Sequence, residues 1–277
     1  FQNLGEQTIE NVTPKMKDKK INIFSNIFSK EYIILYVISF MTSMVGLTGE
    51  VSPFSLSMIA ACFSNSIPLL GIVIVSTVGN AIRFGMEGAL SYLLTVLVMV
   101  ATLFVLKPKY NEEERNEKIK VGKNIFIATL IVQLAKNFMS TFTIYDGLVS
   151  ITFAIITFVF YKIFVNSMVA IENFQEKKAF SIEEVIGTSL LLAIAVSCFG
   201  DFAIFGFSIR NVASIFIVLV LGWKNGILIG TTSGVTIGVT LGIITGTEPI
   251  MIAAYAISGM IAGILNRFGK IGVIVGF

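Results

Sequence analysis

The chain has 277 residues, of which 55% are hydrophobic and 13% charged, and its formal net charge is +3. Soluble domains average about 25% charged residues, so this composition excludes an ordinary soluble domain and indicates several membrane spans. The small positive charge argues against a nucleic-acid-binding protein. The sequence contains no histidine, no P-loop motif and no dinucleotide-binding glycine motif, which excludes His-based triads and the usual phosphate cradles.

A polar, lysine-containing arm occupies residues 1–31. Because lysine and arginine accumulate on the inner side of membranes, we predict that this arm is cytoplasmic. The remainder, 32–277, is predicted to be one multi-span membrane domain. The chain begins at Phe1 rather than Met and stops inside a new apolar run from residue 271, so we expect this domain to be truncated at the C-terminus.

Apolar segments along 32–277 predict an all-α transmembrane helix bundle of about ten spans, with an eleventh beginning at residue 271. The second and seventh segments are short, which leaves re-entrant or tilted helices open for them. The ten segments are 32–49, 52–64, 66–83, 88–106, 125–143, 147–165, 185–200, 204–222, 226–245 and 249–266.

Charged residues between the segments support an alternating path through the membrane. The loops near 107–123 and 166–184 carry lysines and are predicted to be cytoplasmic. Arg83 and Arg210 are exceptions near outer ends, where each can pair with an acidic neighbour or reach the interface. The predicted outer turns carry acidic residues, namely Glu50, Glu87, Asp146, Asp201 and Glu248.

Seven glycines stand four residues apart in the last third of the chain, and we call them the glycine ladder. A bilayer obliges the backbone to form its own hydrogen bonds, and glycine at every fourth position lets a neighbouring backbone approach closely. This spacing predicts tight helix packing and self-association. Since four residues exceed one turn of 3.6, the stripe is expected to wind around its helix and meet two neighbours in succession. The predicted packing residues are Gly222, Gly226, Gly230, Gly234, Gly238, Gly242 and Gly246, with Gly259 and Gly263 in the next segment.

Two polar pairs in or beside the predicted spans are candidate sites, because polar groups are costly in a bilayer. Gln133 lies three residues before Lys136, inside the fifth segment and on the same helix face. This pair could form an ion, substrate or sensing site. The alternative, which we favour, is a structural lysine held by a carbonyl oxygen or by a carboxylate such as Asp146. Asp201 and Arg210 bracket the turn into the eighth segment and are predicted to form a structural ion pair.

Three stretches together resemble the membrane region of the stage II sporulation protein E family of endospore-forming Firmicutes. The first, 50–61, reads EVSPFSLSMIAA and is similar to a Ser-Pro-Phe-Gly segment of that family, with Ser55 where the family more often has glycine. The second is the glycine ladder, although Trp223 interrupts its usually glycine-rich start. The third is the run 253–277, and the resemblance covers about residues 30–277.

The resemblance implies a membrane-anchoring and septum-targeting region of a PP2C-type serine phosphatase. In that family a further domain, which requires Mn²⁺ or Mg²⁺, dephosphorylates an anti-sigma-factor antagonist and so activates the first forespore sigma factor. The implied partners are the bilayer, further copies of the chain, the antagonist and a tubulin-like division protein at the polar septum. We assign no catalytic, cofactor or metal site to this chain, because Asp18, Asp146 and Asp201 are isolated in sequence.

The alternative function is that of a transporter or a substrate-capture membrane subunit. The many predicted helices, the abundant glycine and Lys136 within a span fit such a protein. Two observations weigh against it. No convincing repeat relates the two halves of the chain, and Pro53, Pro68 and Pro249 lie at segment ends rather than midway.

Overall fold

The all-α prediction is confirmed by a computed structural model, which describes residues 32–46, 51–105, 114–139, 143–172, 181–246 and 249–269. The N-terminal arm and the eleventh segment lie outside these ranges. Within them a short antiparallel pair of strands, β1 (Ala203–Ile204) and β2 (Phe207–Ser208), interrupts a series of helices. The helices are α1 (Ile33–Ser43), α2 (Pro53–Ser64), α3 (Leu69–Val105), α4 (Glu114–Met139), α5 (Ile144–Glu172), α6 (Ile182–Ser197), α7 (Ile209–Asn225), α8 (Ile227–Thr245) and α9 (Ile250–Ile264), followed by a 3₁₀ turn (Leu265–Phe268).

The longest helix, α3, is two helices joined by a reversal at Gly85. This glycine has φ 74° and ψ −168°, a backbone region that side chains other than hydrogen disfavour. The hydroxyls of Ser76 and Tyr92, one from each half, lie near each other without forming a hydrogen bond. In a continuous helix their separation of sixteen positions would span about 24 Å. The halves 69–84 and 86–105 therefore lie side by side, so each of the ten predicted apolar segments contains one helix.

Ten helices are not ten demonstrated spans. By length and hydropathy, four described helices are able to cross a membrane, and α1 and α2 are shorter apolar helices. One of the four is Leu69–Thr102 of α3, whose 34 residues would measure about 51 Å if straight, far more than the 30 Å of a hydrocarbon core. The four candidates are Leu69–Thr102, Ile144–Ile171, Ile227–Thr245 and Ile250–Phe268. The number of ten spans stays a prediction.

Some boundaries differ from the sequence prediction. α4 already begins at Glu114, so the charged run of the predicted 107–123 loop is partly helical, since Glu, Arg and Lys are good helix formers. The predicted eighth segment, 204–222, begins five residues before its helix, because 203–208 forms the strand pair and α7 begins only at Ile209. Phe205 and Gly206 both have positive φ, as a two-residue hairpin turn requires.

Hydrogen bonds between helices fix their relative directions. α2 and α5 are parallel, because Ser57 Oγ donates to the Thr157 carbonyl oxygen (2.8 Å) and Asn65 Nδ2 donates to that of Val165 (3.3 Å). α4 and α5 are antiparallel, because Gly122 lies against Tyr161 whereas Asn137 bonds to residues near the start of α5. These directions agree with the predicted alternating path, on which the second and sixth segments run in the same direction.

Helix α2 lies at the centre of the larger core, which we call the α2 core. Ten of its twelve residues are buried, including Leu56, Met58 and Ile59, and it packs against α1, α3, α4 and α5. A helix that is apolar on all sides is expected to be enclosed by others. At twelve residues α2 measures about 18 Å, so it is too short to cross a bilayer alone.

A second and smaller core holds α7, α8 and α9 together, and we call these three helices the glycine-packed unit. Its buried residues include Val218, Ile237, Leu241 and Tyr255. Helix α6 joins this unit to the α2 core, since it packs against α8 on one side and α5 on another and contributes Ala193. The two cores of the molecule therefore meet at α6.

Candidate functional sites: the glycine-packed unit and the polar helix ends

Gly226 alone joins α7 to α8. It has φ 88° and ψ −173°, close to the conformation of Gly85, and it reverses the chain in the same way. The Gly226 N–H donates to the Gly222 carbonyl oxygen (2.8 Å), and the Gly230 N–H donates to that of Gly226 (2.9 Å). A methyl group on Gly230 would lie 2.7 Å from Gly222 Cα, so the two helices touch beside the turn. The glycine ladder is thus divided between two helices.

The next ladder glycines hold α8 against α9. Hypothetical Cβ atoms on Gly230 and Gly234 would collide with the carbonyl oxygens of Gly259 and Tyr255. One on Gly238 would lie 2.8 Å from Ile252 Cα. The obstructing atoms are backbone atoms, which cannot rotate away as a side chain does. These three positions therefore depend on the absence of a side chain.

The glycines of α9 complete the same contact. A Cβ on Gly259 would collide with the Gly230 carbonyl oxygen, and one on Gly263 would lie 2.6 Å from the Gly226 carbonyl carbon. The ladder glycines at 230, 234 and 238 thus face one helix, α9, and do not pass from one neighbour to another along α8 as the winding argument predicts. Only Gly230 also touches α7, because it sits next to the turn.

The last two ladder glycines lie at the end of α8. Gly246 ends the helix in the left-handed conformation, with φ 65° and ψ 24°, and its N–H donates to the Gly242 carbonyl oxygen (2.9 Å). No heavy atom lies within 4 Å of a Cβ built on Gly246. One regular spacing therefore supplies three different structures, namely a turn, a backbone contact and a helix cap.

Lys136 lies in the last turn of α4, not midway along a helix as its place in the predicted fifth segment suggests. A cation is favourable there because the helix dipole presents partial negative charge at its C-terminus. Gln133 is buried one turn earlier. Asn137 Nδ2 joins α4 to α5 by donating to the Asp146 carbonyl oxygen (3.1 Å) and to Ser150 Oγ (2.9 Å).

The Asp146 carboxylate caps α5. It accepts hydrogen bonds from the Thr143 N–H (3.0 Å) and the Thr143 hydroxyl (2.6 Å), and the Asp146 N–H donates back to Thr143 Oγ1 (3.3 Å). This reciprocal pattern satisfies N–H groups that the first turn of a helix leaves open. Polar residues at this end of α4 and α5 therefore serve helix ends and helix contacts.

Asp201 and Arg210 lie within ion-pair distance, with 3.4 Å between Asp201 Oδ1 and Arg210 Nη2. The Asp201 side chain is 99% exposed, whereas that of Arg210 is 10% exposed. Arg210 Nε has no hydrogen-bond partner among the described residues. Beside it, the Tyr255 hydroxyl donates to Asn211 Oδ1 (3.3 Å) and ties α9 to α7. The long distance and the exposed carboxylate indicate a weak pair.

A buried polar cluster ties α1, α2 and α3 together. The sequence marks Asn80 as part of a polar patch with Arg83 and Glu87, but it does not predict the contacts of Asn80 with Ser52 and Ser55. Asn80 Oδ1 accepts from the Ser52 N–H (3.1 Å), and Asn80 Nδ2 donates to Ser55 Oγ (3.2 Å) and to the Ser76 carbonyl oxygen (2.9 Å). Ser52 Oγ donates to the Thr42 carbonyl oxygen (2.7 Å). We call Thr42, Ser52, Ser55 and Asn80 the asparagine cluster. A serine N-cap before Pro53 and an asparagine inside an apolar run were the available signals.

The outer surface of the helices is apolar. Large side chains stand exposed along α3, α5 and α8, among them Ile82, Leu97, Leu148 and Leu228, while serine, threonine and asparagine side chains are buried inside. Exposed apolar patches of this extent mark a surface that lipid or another protein covers. The fold, with its four span-length helices, is that of a polytopic helical membrane protein.

A family model described as SpoIIE, N-terminal domain, matches residues 2–277, so the chain belongs to that family of sporulation membrane proteins. The match confirms the resemblance drawn from 50–61, the glycine ladder and 253–277. Comparison with curated proteins and with solved structures finds no match.

Proposed function

We propose that this chain anchors a PP2C-type sporulation phosphatase in the membrane and targets it to the polar septum. The observation that carries the proposal is the family match over residues 2–277, on a fold whose exposed surface is apolar. The catalytic domain, its Mn²⁺ or Mg²⁺, the anti-sigma-factor antagonist and the tubulin-like division protein enter through the family alone. The contribution of this chain is placement of the enzyme.

The distribution of charge supports a path with the N-terminus in the cytoplasm. Most of the lysines and arginines in the described helices lie at the ends that an alternating path assigns to the inner side, whereas Asp146 and Asp201 lie at the opposite ends together with Arg83, Lys136 and Arg210. This is the arrangement that the positive-inside rule favours. The basic residues at the inner ends are Lys118, Lys120, Lys123, Lys162, Lys224 and Arg267.

Self-association remains part of the proposal, but the glycine ladder does not supply its surface. Gly230, Gly234 and Gly238 are already covered by α9 of the same chain. A second copy would have to meet another face. A midplane transport site, by contrast, gains no support from Lys136, which lies at a helix end.

An anchor-replacement experiment tests the proposed targeting. In sporulating cells, residues 32–269 of the full-length protein are replaced by two unrelated transmembrane helices, and a fluorescent tag reports its location. We expect the replaced protein to stay in the membrane, lose its concentration at the septum and fail to activate a forespore sigma reporter. The tagged unreplaced protein is the control. Septal location with the unrelated anchor would refute targeting by this domain.

Cysteine labelling tests the orientation. In a Cys62→Ser, Cys198→Ser background, we expect Lys118→Cys to be protected from a membrane-impermeant thiol reagent in intact cells and Asp201→Cys to be labelled. Both side chains lie at helix ends, and Asp201 is exposed. Lysis should make Lys118→Cys reactive, which controls for burial. Labelling of Lys118→Cys in intact cells would reverse the proposed topology.

A further inference from the structure

A cleft opens at the end of the bundle where α4 begins, α5 ends and α6 begins, and we call it the basic cleft. Its volume is about 960 Å³. Among the described residues, three lysines line it, Lys118 and Lys123 from α4 and Lys162 from α5, against one acidic residue, Glu183 of α6. The charge of this described lining is therefore +2, from three lysines less one glutamate. We propose that the basic cleft binds the phosphate headgroup of an anionic phospholipid.

The floor of the cleft is held in place by Tyr161, which links the helices around it. Its side chain is 2% exposed, and its hydroxyl donates to the Lys118 carbonyl oxygen (2.7 Å) and shares a hydrogen bond with Ser64 Oγ (2.8 Å). A Cβ on Gly122 would lie 2.8 Å from the Tyr161 ring, so the glycine admits the ring against α4. The backbone from which Lys118 projects is thus tied to α2 and α5.

The cleft combines cationic and apolar walls. Lys162 Nζ lies 4.8 Å from the centre of the Phe158 ring, a cation–π distance that holds the ammonium group over the aromatic face. Ile119 lines the same cleft. A lysine ammonium group binds phosphate as a point charge, and the apolar wall suits the glycerol and the first methylene groups of a lipid.

The exposed apolar residues beyond the cleft favour a lipid over a free anion. On α4, Ile119, Ile127 and Ile131 are exposed at intervals of eight and four residues, which places them on one face. On α5, Ile155 and Val159 are exposed in the turns before Lys162. A lipid whose phosphate lies at the lysines and whose acyl chains lie along α4 and α5 would contact both the basic cleft and the exposed apolar residues beyond it. Basic pockets between membrane helices on the cytoplasmic side recognise lipid headgroups in this way.

Lipid binding goes beyond the proposed anchoring role, and the two can fail separately. The test is native mass spectrometry of the purified chain in a neutral detergent, with phosphatidylglycerol, phosphatidylcholine and inorganic phosphate as probes. The cleft variant is Lys118→Gln, Lys123→Gln, Lys162→Gln. The control variant, Lys136→Gln, Lys224→Gln, Arg267→Gln, loses the same three charges outside the cleft. Both variants must match the unfolding temperature of the parent chain in lipid-free detergent.

We expect the cleft variant to bind phosphatidylglycerol about 100-fold more weakly, because each lysine near an anionic headgroup contributes about fivefold. The control variant should change less than about fivefold, and phosphatidylcholine binding should not respond in either. Lys162→Glu, at an exposed position, gives the same test should the triple variant fold poorly. Equal weakening in the cleft and control variants would overturn the assignment. So would displacement of phosphatidylglycerol by inorganic phosphate, which would indicate a free-anion site.

Discussion

The α2 core and the glycine-packed unit hold their helices together by different kinds of contact. In the α2 core, side chains fill the space between helices, and the asparagine cluster links three of them by hydrogen bonds. In the glycine-packed unit the backbones themselves meet, and few buried side chains lie between them. Where lipid removes the hydrophobic drive for association, both rely on close contact and hydrogen bonding. They differ in which single substitution should lower the free energy of unfolding most.

Gly234→Leu should have the largest effect, because its side chain meets the Tyr255 backbone, which cannot give way. We expect a loss of about 3 kcal/mol or more in the free energy of unfolding, as for severe overpacking. Thermal unfolding in detergent measures it. Val235→Leu, at the neighbouring exposed position of α8, is the matched control and should be close to neutral. Similar losses in both variants would show that the backbone contact is unimportant.

Asn80→Ala tests the α2 core. The substitution leaves the buried Ser52 N–H without its acceptor, and an unsatisfied buried group of this kind costs about 2 to 3 kcal/mol. The same unfolding measurement applies. Thr77→Ala, one turn earlier on α3, removes a hydroxyl that bonds only within its own helix and should cost far less. A neutral Asn80→Ala would mean that the α2 core depends on apolar filling alone.

Gly85→Ala tests the chain reversal that joins the two halves of α3. Nothing lies within 4 Å of a Cβ at Gly85, so the expected loss of about 1 to 3 kcal/mol comes entirely from a backbone conformation that only glycine adopts readily. Met86→Ala, an exposed neighbour in ordinary helix, is the control for the unfolding measurement. No difference between the two would contradict the strained reversal at Gly85.

The ion pair of the glycine-packed unit should matter least. We expect Asp201→Ala to leave the unfolding temperature unchanged, because the carboxylate is exposed and 3.4 Å from its partner. Asp146→Ala, by contrast, removes one half of the capping box that Thr143 and Asp146 form at the start of α5, and should cost about 1 kcal/mol. A larger effect at Asp201, abolished by salt, would show that the buried Arg210 depends on its partner.

The sequence predicted well what depends on local composition. Each of the ten apolar segments contains a helix, because a long apolar run in lipid must form its own backbone hydrogen bonds and a helix provides them. It predicted poorly what depends on partners far away in the chain. The spacing of the ladder is the same at 226, 230 and 246, yet these glycines form a turn, a contact and a cap.

Among the candidate sites, too, contacts between residues close in sequence were easier to predict than contacts between distant ones. The closeness of Asp201 and Arg210 follows from nine residues of sequence, and the structure places them 3.4 Å apart. The contact of Ser52 with Asn80 and that of Tyr161 with Lys118 bridge 28 and 43 residues. No periodic pattern marks such pairs. Lys136 lies in the last turn of α4 because that helix ends at Met139, a boundary that hydropathy does not fix.

The one-residue turn at Gly226 also limits how two helices can move. α7 and α8 have 17 and 19 residues, and nothing but Gly226 separates them. Because no loop lies between them, they can separate only if the backbone torsions of Gly226 change and the contact of Gly230 with Gly222 is lost. The reversal at Gly85 limits the two halves of α3 in the same way. We therefore expect each pair of helices to move as one unit, with its glycine as a fixed corner and not as a flexible joint.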